Sequence, residues 1–481
     1  MSHPDVHGPA SAPPPSTPGD LVPRKRILTP TVLSWAFWDW GSAAFNAVAT
    51  TFVFSVYLTS DGVFTDKATA SEHLSFGLTI AGILIALLAP VTGQRADRRG
   101  RGGVWLGWFT GAVVACMALM FFVAPEGPLG KERALWLGII LLGLGNVFFE
   151  FASVNYNAML NHISDRSTMG RISGLGWGMG YVGGIVLLLF LFVAFINPEV
   201  GLFGVTHANG MNIRVSMLFA AAWFAVFATP VILNPPRPTH HSDESGREPI
   251  WDSYRRLWGT VVSLARHAPH TLSFLIASAV FRDGLAGVFT FGAILAGTVF
   301  GFSASQVIVF AIAANIVAGL ATIGFGALDD RIGPKRVIVI SLVAMVLSGL
   351  GVFILHSRGQ IVFWVLGLIL CVFVGPAQSA SRSFLGRVIP EGREGGVFGL
   401  YATTGRAVSF LSPLMYGASI RIGRHLTPAG EDPTHWGILG IVLILAVGLV
   451  LLLPIRQDRA HLDIYADGDA DTTTTGVRTR K

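Results

Sequence analysis

Charged residues are scarce in this chain of 481 residues. Asp, Glu, Lys and Arg together make up 13% of it, whereas a typical soluble domain has roughly 25%. Apolar residues account for 52%, and the mean hydropathy is +0.60. This composition indicates a membrane protein. The net charge of +6 could suggest a nucleic-acid partner, but the basic residues lie in short loops, so we expect no nucleic acid.

Cysteine is nearly absent, and so are the motifs of several enzyme classes. Cys116 and Cys371 are the two cysteines, and both lie inside apolar stretches, so a disulfide framework is not expected. The sequence has no nucleophile elbow, no P-loop ending in Gly-Lys-Ser/Thr and no metal-ligand spacing. We therefore expect a protein that is not an enzyme and has neither a cofactor nor a bound metal.

Long apolar stretches are abundant. Twelve of them have about 20 residues or more, which at 1.5 Å per residue is enough to cross a bilayer. The predicted fold is all-α, with twelve transmembrane helices in two pseudo-symmetric six-helix bundles. The predicted spans are 32–58, 73–92, 104–124, 134–160, 171–196, 212–234, 271–298, 305–328, 336–356, 360–380, 396–419 and 435–454.

The placement of Lys and Arg predicts the orientation. With the N-terminus in the cytoplasm, 25 of the 34 basic residues fall in cytoplasmic segments, as the positive-inside rule requires. We expect a multi-pass protein of the plasma (inner) membrane with both termini cytoplasmic, and an organelle membrane stays open as an alternative. The predicted parts are a disordered tail (1–31), an N-terminal bundle (32–234), a cytoplasmic linker (235–270), a C-terminal bundle (271–454) and a second disordered tail (455–481).

The linker has its own pattern. From Ile250 onward its apolar residues recur at helical spacing, with arginines between them. This pattern predicts an amphipathic helix in the cytoplasmic interface of the membrane. A plain connector is the alternative.

One short loop occurs twice, after the second span of each half. Both copies read Gly-x-x-x-Asp-Arg-x-Gly and have basic residues shortly after it, which suggests that one bundle was duplicated and fused, as in secondary transporters. The loop Asp can accept hydrogen bonds from a helix N-terminus or pair with Arg. The residues concerned are Gly93, Asp97, Arg98, Gly100 and Arg101 in the first copy, and Gly326, Asp330, Arg331, Gly333, Lys335 and Arg336 in the second.

With these paired loops the chain resembles the major facilitator superfamily. The resemblance implies alternating access between the two bundles, with Asp97 and Asp330 helping to lock the cytoplasmic side when the transporter opens outward. A narrower resemblance, to the vacuole-effluxer family, lies in Ser-Trp-Ala-Phe-Trp-Asp-Trp-Gly-Ser-Ala (34–43), Arg282-Asp283-Gly284, Gln-Ser-Ala-Ser-Arg-Ser (378–383) and the segments 389–394 and 398–401. That family is related to an amino-acid exporter of yeast vacuoles, so it implies efflux of a small zwitterion such as an amino acid.

Polar side chains inside the predicted spans are the candidates for binding substrate and protons. An ionised side chain in hydrocarbon costs at least ~2.5–3.5 kcal/mol on insertion scales, so these side chains should meet one another or line a wet cavity. Arg282 and Arg406 could bind a substrate carboxylate through the guanidinium fork. Asp39, Glu150 and Asp283 could couple protons or bind a substrate amine. The full candidate set is Asp39, Asn46, Glu150, Asn157, Arg282, Asp283, Gln378, Arg382 and Arg406.

Several alternatives stay open at this point. The acids and arginines could form static ion pairs that only fix helix packing, and Asp39 and Asp283 could be a symmetric structural pair. Trp35, Trp38 and Trp40 could belong to an interfacial aromatic belt or contact the substrate. An exporter of other metabolites or drugs, and a non-transporting sensor on the same fold, are alternative functions. The two intact loops favour a transporter of a small-molecule substrate. We expect this transporter to be a monomer in the lipid bilayer.

A glycine pattern in the fifth span predicts one packing detail. Gly176, Gly180 and Gly184 share a helix face. Small residues at this spacing let two membrane helices approach closely. We therefore expect a close helix crossing at this face.

Overall fold

The computed structural model describes residues 27–60, 62–98, 102–165, 167–236, 250–302, 304–389, 394–428 and 433–456. Both predicted tails lie outside these ranges except for residues 27–31 and 455–456. The regular elements in these ranges are helices, and ten of them are long and apolar enough to cross a membrane.

The N-terminal half contributes six helices. The first of them includes a π-helical stretch, Ala44–Phe52. Their bounds are α1 Pro30–Thr59, α2 Lys67–Arg98, α3 Gly102–Phe122, α4 Lys131–Ile163, α5 Met169–Ile196 and α6 Met211–Leu233.

The C-terminal half follows a linker helix, Ile250–His267. One of its helices is interrupted, so we name its two segments α11a and α11b. The bounds are α7 Pro269–Thr298, α8 Ala304–Ile332, α9 Pro334–Ile354, α10 Gln360–Val388, α11a Glu394–Ala407, α11b Leu411–Gly423 and α12 Gly437–Leu452.

Each predicted span coincides with helical residues. Ten meet the length and hydropathy of a membrane span, and the other two are 73–92 and 396–419. The first corresponds to α2, in which Phe76–Ala89 is a shorter apolar helix. The second corresponds to the two segments of α11.

The predicted span 396–419 is interrupted in the structure. The segment 408–410 is a turn between α11a and α11b. Pro413 explains the interruption, because proline has no N–H to donate to the carbonyl of Ser409 and its ring collides with that carbonyl in a continuous helix. Within the first turn of α11b the same proline is tolerated.

The two halves meet most extensively along two symmetric helix pairs, α5 with α8 and α2 with α11a. Glycines bring α5 and α8 together: a Cβ on Gly174 would lie 2.6 Å from the carbonyl oxygen of Thr322, and one on Gly326 would lie 2.7 Å from that of Gly170. The predicted close crossing at Gly176 and its neighbours is confirmed, and the partner helix is α1.

Two hydroxyl groups from outside the N-terminal bundle reach consecutive carbonyls of α2. Thr403 of α11a donates to the carbonyl oxygen of Ala86 at 3.1 Å. Tyr254 of the linker helix donates to that of Leu87 at 3.0 Å. The linker helix packs along α2 and α7, with Leu264 buried and Trp258 exposed, which gives it two distinct faces.

Candidate functional site

Asp330 joins the two halves at the face of the molecule that carries the linker helix and the α8–α9 loop, here called the linker face. Its carboxylate accepts hydrogen bonds from the backbone N–H groups of Gly170 at 2.7 Å and Arg171 at 3.1 Å, at the start of α5. It also accepts from Nε of Arg171 at 2.6 Å and Nη2 of Arg387 at 2.8 Å. An acid at a helix N-terminus is stabilised by the helix dipole, so Asp330 fastens α8 to the first turn of α5.

The rest of the second loop shapes this contact. Gly333 has φ 89° and turns the chain between α8 and α9, a conformation that suits glycine. Lys335 donates to the carbonyl oxygens of Leu453 and Ile455 and so caps the end of α12. Arg331 and Arg336 are exposed.

The first loop copy is only partly described. Gly93, Asp97 and Arg98 are helical residues near the end of α2. Gly100 and Arg101 lie outside the described residues. The gating role that the resemblance implies for this copy stays a prediction.

Arg382 of α10 forms a second, deeper layer of contact between the halves. Its Nε donates to Oγ of Ser173 at 3.0 Å and its Nη2 to the carbonyl oxygen of Ser173 at 2.6 Å. Its Nη1 donates to Oδ1 of Asn157 at 3.1 Å and lies 3.5 Å from Oδ2 of Asp39. The side chain is 5% exposed. Arg382 therefore holds α10 against α1, α4 and α5.

Aromatic side chains surround Asp39 and Arg382. The hydroxyl of Tyr156 donates to Oδ2 of Asp39 at 2.9 Å, and the ring of Tyr156 stacks on Trp35 at 4.5 Å. The guanidinium carbon of Arg382 lies 5.0 Å from the centre of the Trp35 ring, within the range of cation–π attraction. Trp35 and Trp38 are buried, so neither lies in an exposed aromatic belt.

Arg406 and Glu150 form the deepest layer. Nη2 of Arg406 lies 3.2 Å from Oε2 of Glu150 and 3.3 Å from Oδ1 of Asn146. Counted along α4 and α11a at 1.5 Å per residue, the pair lies roughly 20 Å from the linker-face ends of its helices. The side chains of Arg406 and Glu150 are 37% and 18% exposed, so this pair borders open space.

Two further candidates lie within the C-terminal half. Nη1 of Arg282 donates to the carbonyl oxygen of Tyr401 at 3.1 Å. Oδ2 of Asp283 accepts from the backbone N–H of Ser412 at 2.6 Å. Both contacts are made with the interrupted α11.

The remaining candidates are Asn46 and Gln378. Asn46 is exposed in the π-helical stretch of α1, and its backbone carbonyl accepts from Thr50 and Thr51. Gln378 lies one turn before Arg382 on α10, and its buried Oε1 has no hydrogen-bond partner among the described residues. The structure thus joins Asp39, Asn157 and Arg382 in one cluster and Glu150 and Arg406 in another.

Sequence reasoning missed four residues of these layers. Tyr156 and Ser173 touch the Asp39–Arg382 cluster, and Arg171 and Arg387 bind Asp330. Arg171 had a detectable signal, because it is a basic residue at the start of the predicted span 171–196. Arg387 had a weaker one, because it follows the predicted span 360–380 by seven residues and lies in the observed last turn of α10. Tyr156 and Ser173 had none, because an aromatic ring or a small hydroxyl in an apolar helix usually belongs to ordinary packing.

Replacement of Gly176 by alanine is expected to destabilise the protein. An added Cβ would lie 2.8 Å from both Oδ2 of Asp39 and the Trp35 ring, and overpacking of this kind costs ~1–3 kcal/mol. The measurement is the thermal unfolding midpoint of the purified protein in detergent. Gly180→Ala is the matched control, because its Cβ would have its nearest neighbour at 3.5 Å. Equal midpoints for the two variants would contradict the expectation.

Comparison with known proteins identifies the family of this chain. The family model described as "Vacuole effluxer Atg22 like" matches residues 66–463. The chain belongs to this family. The Bacillus subtilis (strain 168) protein YxiO, described as an uncharacterized MFS-type transporter, is 24% identical over 432 residues, which cover 88% of this chain and 94% of YxiO.

A fungal relative matches a shorter part of this effluxer-family chain. Autophagy-related protein 22-1 of Aspergillus niger is 27% identical over 315 residues, which cover 60% of this chain and 48% of the fungal protein. The chain therefore spans about half the length of that relative.

The fold has close structural counterparts. The human organic anion transporter MFSD10 aligns with a TM-score of 0.66 at 13% identity, over 89% of this chain and 99% of that one. The predicted major facilitator fold is thus confirmed. This member of the vacuole-effluxer family is a multi-pass membrane transporter of the major facilitator type.

Proposed function

We propose that this effluxer-family protein exports amino acids from the cytoplasm by alternating access, driven by exchange with protons. The observation that carries the proposal is the pair Arg406–Glu150, which joins opposite charges from the two halves at a position open to solvent. An amino acid carries the same two charges on one small molecule. It can therefore replace the contact between the halves by binding its carboxylate to Arg406 and its ammonium group to Glu150.

The geometry of Arg406 supports binding of a carboxylate. Among the described residues only its Nη2 has hydrogen-bond partners, so Nε and Nη1 remain available to a ligand. A guanidinium matches the two oxygens of a carboxylate with two parallel N–H donors. Asn146 adds an amide beside the same nitrogen, which can bind either end of a small polar substrate.

The layered contacts support alternating access. Asp330, Arg382 and Arg406 each connect the two halves, and they follow one another from the linker face inward. With the predicted orientation the linker face is cytoplasmic, so these layers close the cytoplasmic side and the conformation is the one that releases an exported solute. The membrane in this proposal is the plasma membrane, with both termini inside and the transporter acting as a monomer.

Asp39 supports coupling to protons. It lies in the middle layer, where its carboxylate has Tyr156 and Arg382 as neighbours from two other helices. Protonation would remove the charge that attracts Arg382 and weaken this contact between the halves. A carboxyl group whose charge stabilises one conformation more than the other exchanges a proton as the conformation changes.

Asp39→Asn is expected to uncouple transport from the proton gradient. In liposomes containing the purified protein, counterflow of labelled amino acids should stay within about threefold of wild type, because binding at Arg406 is untouched. Accumulation driven by an imposed pH gradient should disappear, because the amide cannot take up a proton. The measurement is counterflow and gradient-driven accumulation on the same vesicles.

Asp66→Asn is the matched control for this experiment. Asp66 is an acid at the start of α2 whose Oδ1 accepts from the N–H of Thr69, away from the inter-bundle contacts. The Asp66→Asn variant should accumulate substrate like wild type. Normal accumulation by Asp39→Asn would rule out Asp39 as the coupling group, and absence of counterflow with every amino acid would exclude this substrate class in favour of other metabolites or drugs.

A further inference from the structure

The interruption of α11 lies beside the pair Arg406–Glu150. Arg406 is the penultimate residue of α11a, and its backbone carbonyl accepts from the N–H of Ser409 at 3.3 Å and from its hydroxyl at 3.0 Å. The turn 408–410 and Pro413 follow. The direction of the Arg406 side chain therefore depends on how the broken ends are held.

Arg282 lies against the last two turns of α11a. Its Nη1 donates to the carbonyl oxygen of Tyr401 at 3.1 Å, and its guanidinium carbon lies 3.7 Å from the centre of the Tyr401 ring. Thr404 donates to the same carbonyl. A Cβ on Gly405 would lie 3.3 Å from Nη1 of Arg282, so the missing side chain leaves room for the guanidinium.

Asp283 holds the start of α11b. Its Oδ2 accepts from the backbone N–H of Ser412 at 2.6 Å, and its backbone carbonyl accepts from the hydroxyl of Ser412 at 2.7 Å. A Cβ on Gly287, one turn further along α7, would lie 2.8 Å from Oγ of Ser412. Asp283 is 8% exposed, so its carboxylate is occupied with the helix end rather than directed at open space.

The two contacts have the signs that the broken helix requires. Carbonyl groups without helical partners make the C-terminal end of a helix partly negative, and free N–H groups make the N-terminal end partly positive. Arg282 places a cation beside Gly405 in the last turn of α11a, and Asp283 places an anion at the first turn of α11b. Because the residues are consecutive on α7, they fix both ends relative to one another.

We infer that Arg282 and Asp283 are positioning residues, which clamp the broken ends of α11 so that Arg406 is presented across the bundle interface to Glu150 and to the substrate carboxylate. The second part of this inference rests on the proposed function. The clamp itself is a statement about α11 and needs no substrate to be tested.

The test compares two substitutions of Asp283. Asparagine keeps an oxygen that accepts from the N–H of Ser412 but loses the charge. The attraction of a charge to a helix end is worth less than about a fivefold change in affinity, so Asp283→Asn should retain counterflow within about fivefold of wild type, together with gradient-driven accumulation. Asp283→Ala should raise the half-saturation concentration for counterflow by about tenfold or more, the loss expected when a hydrogen bond to a charged group is removed. Arg282→Met should shift the half-saturation concentration in the same direction.

A second measurement follows the helix break without substrate. Amide hydrogen exchange of the segment 405–414 should accelerate in Asp283→Ala and stay near wild type in Asp283→Asn, since the Ser412 amide loses its partner only in the first. Asp66→Asn, which lies away from the inter-bundle contacts, is the matched control and should leave this segment unchanged.

Each result decides a separate point. Loss of accumulation with intact counterflow in Asp283→Asn would make Asp283 a proton carrier and overturn the positioning role, and this variant is sufficient if the alanine variant does not fold. Unchanged exchange in Asp283→Ala would overturn the clamp. If wild type transports no amino acid while exchange behaves as expected, the proposed function fails and the clamp stands.

Discussion

Replacement of Arg406 by alanine is expected to abolish amino-acid counterflow. The variant loses the guanidinium that meets Glu150 at 3.2 Å and, in the proposed cycle, the substrate carboxylate. Each hydrogen bond to a charged group is worth about 1.5–3 kcal/mol. Removal of a bidentate contact with the substrate carboxylate should therefore lower kcat/KM by a factor of about 100 or more. The measurement is the initial rate of counterflow over a range of substrate concentrations in liposomes.

Two further variants sharpen this expectation. Arg406→Lys retains the charge but not the fork, so it should recover part of the rate with a raised half-saturation concentration. Arg421→Ala removes an exposed arginine of α11b and should transport like wild type. Wild-type transport by Arg406→Ala would exclude this residue from substrate binding and leave the ion pair a packing feature.

Replacement of Arg382 by alanine is expected to open the linker face. The Arg382 side chain is 5% exposed, and its guanidinium binds Ser173, Asn157 and Asp39 across the interface. Removing one partner of a buried charge pair costs roughly 3–5 kcal/mol, which is enough to change the ratio of two conformations by more than about 100-fold. The closed conformation alone contains this contact, so the opposite conformation should gain population.

Cysteine labelling measures this shift. Cys116 and Cys371 are both buried and can be replaced. Ser379 of α10 donates to Oγ of Ser173 in the other half at 3.1 Å and is 2% exposed, so Ser379→Cys then provides a reporter in the closed interface. A water-soluble thiol reagent should label the reporter much faster in the Arg382→Ala background. Arg331→Ala, which removes an exposed arginine of the α8–α9 loop, should not change the labelling rate. Equal rates in all three backgrounds would show that Arg382 does not hold the interface closed.

The loops and the spans could be predicted because their signals are local. A run of apolar residues specifies a membrane helix without reference to the rest of the chain. The motif around Asp330 is local in the same way, because it contains the glycine, Gly333, at which the chain turns. The partners of these residues could not be predicted in the same way. Arg382 and Ser173 are 209 residues apart in the sequence, and the pattern of one helix does not indicate which face of another it meets.

The interruption of α11 shows a different limit. Pro413 gave a local signal, but the apolar residues on both sides of it resemble one continuous span. Arg282 and Asp283 were expected at the substrate or proton site because charged residues in a membrane usually serve function. Their contacts with backbone groups of α11 could be recognised only once the ends of that helix were known. The two candidate residues that face each other across the halves, Arg406 and Glu150, were both in the set chosen from the sequence.

The hydroxyl of Thr403 has a consequence for the water content of the transport cycle. Residue 90 of α2 is proline and has no N–H, so the carbonyl of Ala86, four residues earlier, has no donor within its own helix. Thr403 supplies that donor while α2 and α11a are together. When the halves separate, the carbonyl is left in surroundings where an unsatisfied polar group is expensive. Opening of the linker face therefore has to bring hydration with it, and water reaching Ala86 becomes a condition for the movement rather than a by-product of it.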